Sequence, residues 1–299
     1  MMGRSSVVMT VNNAISLVKD GDVVGIGGFV TSNKPMALIR ALIRAGRRGL
    51  TIVASPASVD VDLLIANGAV QKLICSYVGA EAVSSILPFH SKLADKEYIC
   101  EDIDLGSMIY RLKAHILRLP FFPARGPVGT SFPDLNKSLR WVADPFGGPP
   151  VIAVPPLKLD VALIHAGQSD KYGNVQHQGV VFVDRLLAQA ADRVVVEVER
   201  LVANEEIHRN PLATSLPPGL DTTVVVTPYG AHPCACQNYY RMDTIHLEQY
   251  VVAAKAQFAG DPTHFLDYCR KYVHDPQSHA DYLETVGWDR ILRLGLEEG

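Results

Sequence analysis

The sequence has few cysteines, no long apolar run and no excess of one charge. Its five cysteines, Cys75, Cys100, Cys234, Cys236 and Cys269, are odd in number and thin for 299 residues. A disulfide scaffold would be denser, so a reducing, cytoplasmic setting is expected. No run of about 20 apolar residues is there to span a bilayer. The apolar part of the opening segment MMGRSSVVMT is too short for a signal peptide. Lys and Arg number 28 against 31 Asp and Glu, a net charge of −3 with the signs mixed. That excludes the basic patch that nucleic acid or a membrane surface requires, while leaving enough cations to hold a single phosphate. Repeats, low-complexity tracts and long linkers are also absent.

What is present is apolar and regular. Hydrophobic residues make up 48% of the chain. A chain of this length buries about 75% of its unfolded surface, enough for a large core. Short β-branched runs alternate with helical stretches. DVVGI (22–26), LTIVA (50–54) and VQKLICS (70–76) read as buried strands, with helices over 36–45 and 61–67 between them. Pro35 suits the start of the first helix. SMIYRLKAHILRL (107–119) has helical spacing and stops at Pro120, and a Pro- and Gly-rich stretch runs on to Pro156. A second set follows: strands at 161–166, 193–199 and 222–228, with a helix over 184–192 that Asp184 is placed to cap. From Ile245 the chain reads as a helical tail broken at GDP and HDP. The expectation is one α/β domain, 1–299, with a mainly parallel sheet covered by helices and a C-terminal helical tail.

GDVVGIGGFVTSNKP (21–35) places Gly25, Gly27 and Gly28 between a strand and a helix, where a phosphate loop would sit. A dinucleotide fingerprint needs a third glycine where Val30 stands, and an acid near position 50. A P-loop needs Gly before Lys34 and Ser or Thr after it; Asn33 and Pro35 stand there instead. Two readings remain. The glycines only permit a tight turn, or their N–H groups beyond a strand's carboxyl end are open to an anion.

The same stretch resembles the opening of the A-type polypeptide of the family I coenzyme A transferases, through Asp20, Gly21, Gly27, Gly28, Phe29 and Pro35. Gly25 inside the apolar run and Asn33 in place of a common glycine depart from that pattern. SDKYGNV supplies a second match in Asp170, Gly173, Asn174 and Val175. LIANGAVQKLICSYV, RLPFFPARG, DPFGGPPVIAVPPLKLDVALIHA, ANEEIHRNP, VTPYGAHPCAC and the FLDYCRKYVHDPQSHADYL tail extend the similarity to the A-type chains of glutaconate CoA-transferases from Val11 to Leu294. The resemblance implies a CoA-transferase-like open α/β fold and an acyl-CoA thioester as substrate, with no permanently bound cofactor. It also implies covalent catalysis through a glutamate on a B-type partner, in an A2B2 or larger assembly. The matching loop here, ASPASVD (54–60), has no carboxylate before Asp60, so the nucleophile is expected on the partner.

Several residues are candidates for contact with substrate. Gly27, Gly28 and Phe29 are a candidate oxyanion wall. Ser55, Ser76 and Tyr77 fall at strand ends, as ligand contacts or plain loop polars. Arg125, in a loop with Thr130 and Ser131, is placed to clamp a carboxylate through two hydrogen bonds, or simply to stand in solvent. Glu101 and Asp102 can share acid–base work, or with Asp104 stabilise the start of a helix. His232, Cys234 and Cys236 raise zinc, but Cys-x-Cys alone is a poor ligand spacing and no metal is expected; His232 orients substrate or satisfies a buried carbonyl.

The leading reading is one half of a transferase for short dicarboxylic or branched acids. A second is an acyl-CoA decarboxylase or ring-cleaving hydrolase on the same fold. Arg125 in PARG favours the ring-cleaving branch, while Leu105 stands where that branch is expected to carry an acid. A non-enzymatic ligand sensor lacks a DNA-binding head or basic patch.

Overall fold

The computed structural model describes residues 5–295; the first four residues of the N-terminal segment and the last four of the tail lie outside the described residues. The strands are β1 Val23–Ile26, β2 Leu50–Val53, β3 Val70–Cys75, β4 Ile99–Asp102, β5 Phe122–Ala124, β6 Arg140–Val142, β7 Val151–Val154, β8 Leu159–Asp170, β9 Val175–Gln176, β10 Ala191–Val202, β11 Thr214–Leu216 and β12 Thr222–Val226. The helices are α1 Val11–Ile15, α2 Met36–Arg44, α3 Val59–Ala66, α4 Pro88–Leu93, α5 Leu105–Ile116, α6 Phe132–Leu135, α7 Asp184–Ala190, α8 Asn204–Arg209, α9 Thr244–Phe258, α10 Thr263–Cys269, α11 His279–Val286 and α12 Trp288–Arg293.

Parallel strands run in the order β4-β3-β2-β1-β8-β10-β12. Helices cover both faces, which is why the strands read as continuous apolar runs. Ile52, Leu73, Leu163 and Val195 face the layer formed by α2, α3, α9 and α10. Their chain neighbours Val53, Ile74, Ile164 and Val196 face α5 and α7. The chain builds outward from β1 to β4, then returns to place β8 beside β1 and builds the other way. The strand order therefore reverses between β1 and β8. In open α/β sheets that switch point is where a ligand crevice opens, beyond the carboxyl ends of the strands.

Strands β8 and β10 are longer than their apolar centres suggested. Their outer halves carry polar residues because β8 continues into an antiparallel extension with β9, which pairs with β11. SDKYGNV forms the turn of that extension. Asp170 accepts from the N–H groups of Tyr172 and Asn174 and from the side-chain amides of Asn174 and Asn204. Burial raises the Asp170 pKa, but these donors outweigh it and hold the carboxyl below its usual range. The motif thus has a structural explanation.

Between α5 and β8 the chain leaves the main sheet for a small antiparallel one, β5-β7-β6. Its buried core is only Ala124, Leu139, Ile152 and Val154. The tail helices pack on the α2–α3 face, with Leu247, Tyr250, Phe265 and Tyr268 in the main core. Tyr250 also donates to Asp62 on α3 at 2.6 Å.

Asp184 is not the cap of α7. Val183 holds that position, and Asp184 begins the helix with its carboxylate turned to the β1 loop. Asp104 does cap α5, accepting from Ser107 N–H at 2.9 Å.

Candidate functional site

Loops leaving β1, β2 and β12, and the segment leading into α7, converge at the β1–β8 switch point. Asn33 N–H donates to Ala235 O, Ala235 N–H to Thr31 O, and Val30 N–H to Pro56 O. The Asn33 amide reaches the carbonyls of Gln178 and Val180. Phe29 stands partly exposed, edge-on to Phe182 at 5.0 Å. Gly28 has φ +83°, and a Cβ there would lie 2.5 Å from the Asn33 carbonyl, so only glycine fits without strain. A Cβ on Gly27 would collide with the Asp184 carboxylate.

The expected open amides are not open. Gly27 N–H extends the sheet ladder to Leu163 O at 2.9 Å, and Gly28 N–H donates to Asp184 Oδ1 at 3.1 Å. The loop presents a wall, with Phe29 as its exposed side chain.

Buried charges hold this cluster, and sequence reasoning missed most of them. Lys34 and Asp60 are both fully enclosed and pair at 3.2 Å. Lys34 also donates to the carbonyls of Gly27 and Pro56, tying the β1 loop to the β2 loop. Glu197 accepts from Leu38 N–H in the first turn of α2; burial pushes its pKa up to about 7. Glu199 accepts from His165, Tyr240, Tyr229 N–H and Gly230 N–H, fixing the loop after β12. Burial lowers the His165 pKa, but the Glu199 hydrogen bond and charge more than offset it and raise the value. One signal was visible: VEVER places two acids two residues apart in a valine strand, hence on one buried face.

Of the other candidates, Ser55 and Ser76 meet through their hydroxyls at the ends of β2 and β3, with Ser55 buried and Ser76 exposed. Tyr77 donates to Ser85 O at 2.9 Å. Arg125 and Ser131 are exposed in the excursion past β5. Glu101 on β4 is held by Lys72 at 2.5 Å and Arg111 at 2.7 Å. Burial pushes its pKa up, yet Lys72 and Arg111 outweigh it and hold the carboxyl low, which suits an ion pair better than an acid catalyst. Asp102 is exposed, and its backbone carbonyl accepts from Asn136. Both acids line a cleft of about 680 Å³ between β4 and α6.

His232 departs from expectation as a substrate residue. It is fully enclosed, with Nδ1 on Tyr282 at 2.6 Å and Nε2 on Asp243 at 3.1 Å. Arg290 from α12 grips the same Asp243. Both ring nitrogens therefore anchor the tail. His232 and Cys236 also part company: His232 groups with Asp243 and His246, Cys236 with His165 and Glu199. In each group the carboxylate is already engaged by protein donors.

A switch-point loop cluster on a parallel sheet defines an open α/β protein, the class in which ligands bind beyond the strand ends. The coenzyme A transferase family model matches residues 8–227, and the chain belongs to that family. The A-type polypeptide of glutaconate CoA-transferase from Acidaminococcus fermentans is 32% identical over 312 residues, covering 98% of this chain and 96% of that one. The crystal structure of glutaconate coenzyme A-transferase from the same organism matches with a TM-score of 0.90 at 31% identity, covering 98% of this chain and 97% of the other. The cholesterol ring-cleaving hydrolase IpdA subunit of Rhodococcus jostii is 31% identical over 265 residues, 85% of this chain and 89% of that subunit. An uncharacterized protein of Archaeoglobus fulgidus is 32% identical over 95% of this chain, which spans 63% of that relative's length. The chain is thus an enzyme subunit of the CoA-transferase kind, and the relatives' names imply a partner subunit. No helix among the described residues is long and apolar enough to cross a membrane.

Proposed function

We propose that the chain is the A-type half of a heteromeric CoA-transferase that moves CoA between short dicarboxylic or branched carboxylic acids, the nucleophilic glutamate coming from a B-type partner. One observation carries this reading: the carboxylates of the strand-end cluster are enclosed and committed. Asp60 holds Lys34, Asp184 holds Gly28, Glu197 holds α2, and Glu199 holds the loop after β12. A nucleophile must reach the thioester carbon, and these groups are sealed from it.

The partner's carboxylate attacks the acyl-CoA carbonyl and expels the CoA thiolate, leaving a mixed anhydride. The thiolate then attacks the glutamyl carbonyl of the anhydride and releases the first acid. An acceptor carboxylate takes CoA by the reverse sequence. In this reading Phe29 and the Gly27–Gly28 backbone form the wall against which the thioester lies, and the exposed Ser76 hydroxyl is a donor at its edge. Arg125 clamps the far carboxylate of a dicarboxylic acyl group.

Hydrolysis of acyl-CoA on the same fold is the second reading, favoured by the identity to the ring-cleaving hydrolase subunit. The test is to co-express the chain with its partner and assay CoA exchange between acyl-CoA and free acids. The pair is expected to exchange CoA, and the lone chain to do nothing. Release of free CoA without an acceptor acid would favour the hydrolase, and turnover by the lone chain would overturn the half-site reading.

A further inference from the structure

We propose that Lys34 and Asp184 are positioning residues that clamp a single peptide unit, Gly27–Gly28, at the exit of β1. The catalytic consequence rests on the transferase reading above. The carbonyl of that peptide accepts from Lys34 Nζ at 3.2 Å. Its N–H donates to Asp184 Oδ1 at 3.1 Å. One amide plane is thus held at its oxygen by a buried cation and at its nitrogen by a buried carboxylate.

Both charges are fully enclosed. Lys34 is neutralised by Asp60 and braced on Pro56 O. His177 Nε2 approaches the same Asp184 Oδ1 at 3.7 Å, and His177 is itself anchored through Nδ1 to Ser215 at 2.5 Å.

A turn alone requires none of this. The positive φ of Gly28 reverses the chain, and apolar packing would fill the space of an ion at lower desolvation cost. What the charges add is orientation. Glycine on both sides leaves no Cβ to bar rotation of the intervening peptide. A rotated peptide would turn the Gly27 oxygen away from Lys34 and the Gly28 N–H away from Asp184. It would also shift Phe29, whose N–H is bonded to Ser32 O and whose ring rests on Phe182. The clamp therefore fixes the wall that a thioester would meet. A misplacement of about 1 Å there is enough to slow a positioned reaction roughly 100-fold.

The test uses the assembled two-subunit enzyme with Asp184→Ala and Asp184→Asn. Asp184→Ser, polar but too short to reach Gly28, serves if the alanine variant does not assemble. Hydrogen exchange of the 27–32 peptide is read beside kcat and KM for acyl-CoA. In Asp184→Ala the loop amides should exchange at least about tenfold faster while strand β2 is unchanged. The kcat value should fall at least about tenfold with KM within about threefold, and Asp184→Asn, which keeps the acceptor oxygen, should restore both. Unchanged loop exchange in the folded alanine or serine variant overturns the clamp. Faster exchange with kcat unchanged overturns its role in positioning. If the wild-type pair moves no CoA, the transferase reading falls, and the exchange measurement alone still decides the clamp.

Discussion

Around the exit of β1, Lys34, Asp60, Asp184 and Glu197 are completely enclosed, each bonded to a group distant in the chain. From Leu117 to Phe146 the arrangement is reversed. Leu135, Trp141 and Phe146 stand in solvent, over a core of four small or medium side chains. The first region spends buried charge to hold backbone in one orientation. The second keeps apolar surface outside and has little to hold it from within. A change in the first should therefore propagate into stability and the ligand surface together, while a change in the second, Arg125 aside, should leave the main sheet's stability and the β1 wall untouched.

The sharpest way to break the comparison is Asp60→Ala. It leaves the Lys34 ammonium buried without its carboxylate, and should cost about 3–5 kcal/mol in urea unfolding. The double change Asp60→Ala with Lys34→Met should be milder than the single one. Ile152→Ala removes part of the small core and should cost roughly 2–3 kcal/mol, toward the lower end for such cavities. Its hydrogen-exchange signature should be confined to the excursion, leaving β1 and β2 protected. Gly28→Ala forces a Cβ into the left-handed region against the Asn33 carbonyl and should cost about 1–3 kcal/mol by thermal unfolding.

Glu197 sharpens the contrast through pH. Its folded-state pKa is raised to about 7, so between about pH 5 and 8 the folded chain holds a proton that the unfolded chain has lost. Wild-type stability should fall across that window as pH rises. Glu197→Gln should flatten the decline, and an unchanged slope would show that Glu197 is not its source. The smallest effect is expected for Phe146→Ser in the excursion, within about 0.5 kcal/mol of wild type.

The main sheet was legible because both its faces are buried, so β1, β2, β3, β8, β10 and β12 announce themselves as apolar runs. Strand β4 was not. It lies at the sheet edge, and its ICED reads as acids preceding a helix, although a helix beyond it, its start stabilised by those acids, was expected. The glycine stretch was placed correctly beyond a strand end, but its amide partners were hidden. Asp184 lies 156 residues from Gly28, and no local pattern encodes that meeting. Lys34 looked like the lysine of a failed P-loop, whereas its ammonium points inward to Asp60. His232 sat in a recognisable strand-exit loop, yet its partners are Asp243, which caps the first tail helix, and Tyr282 within the tail, and local spacing does not pair them with it.

The division of labour between this chain and its partner is tested most directly by trapping the covalent intermediate. The assembled two-subunit enzyme is incubated with acyl-CoA, treated with borohydride and mapped by peptide mass spectrometry. The predicted result is inactivation, with a reduced glutamate on the partner and no modified carboxylate in this chain. A reduced residue within this chain, or full activity after treatment, would contradict it.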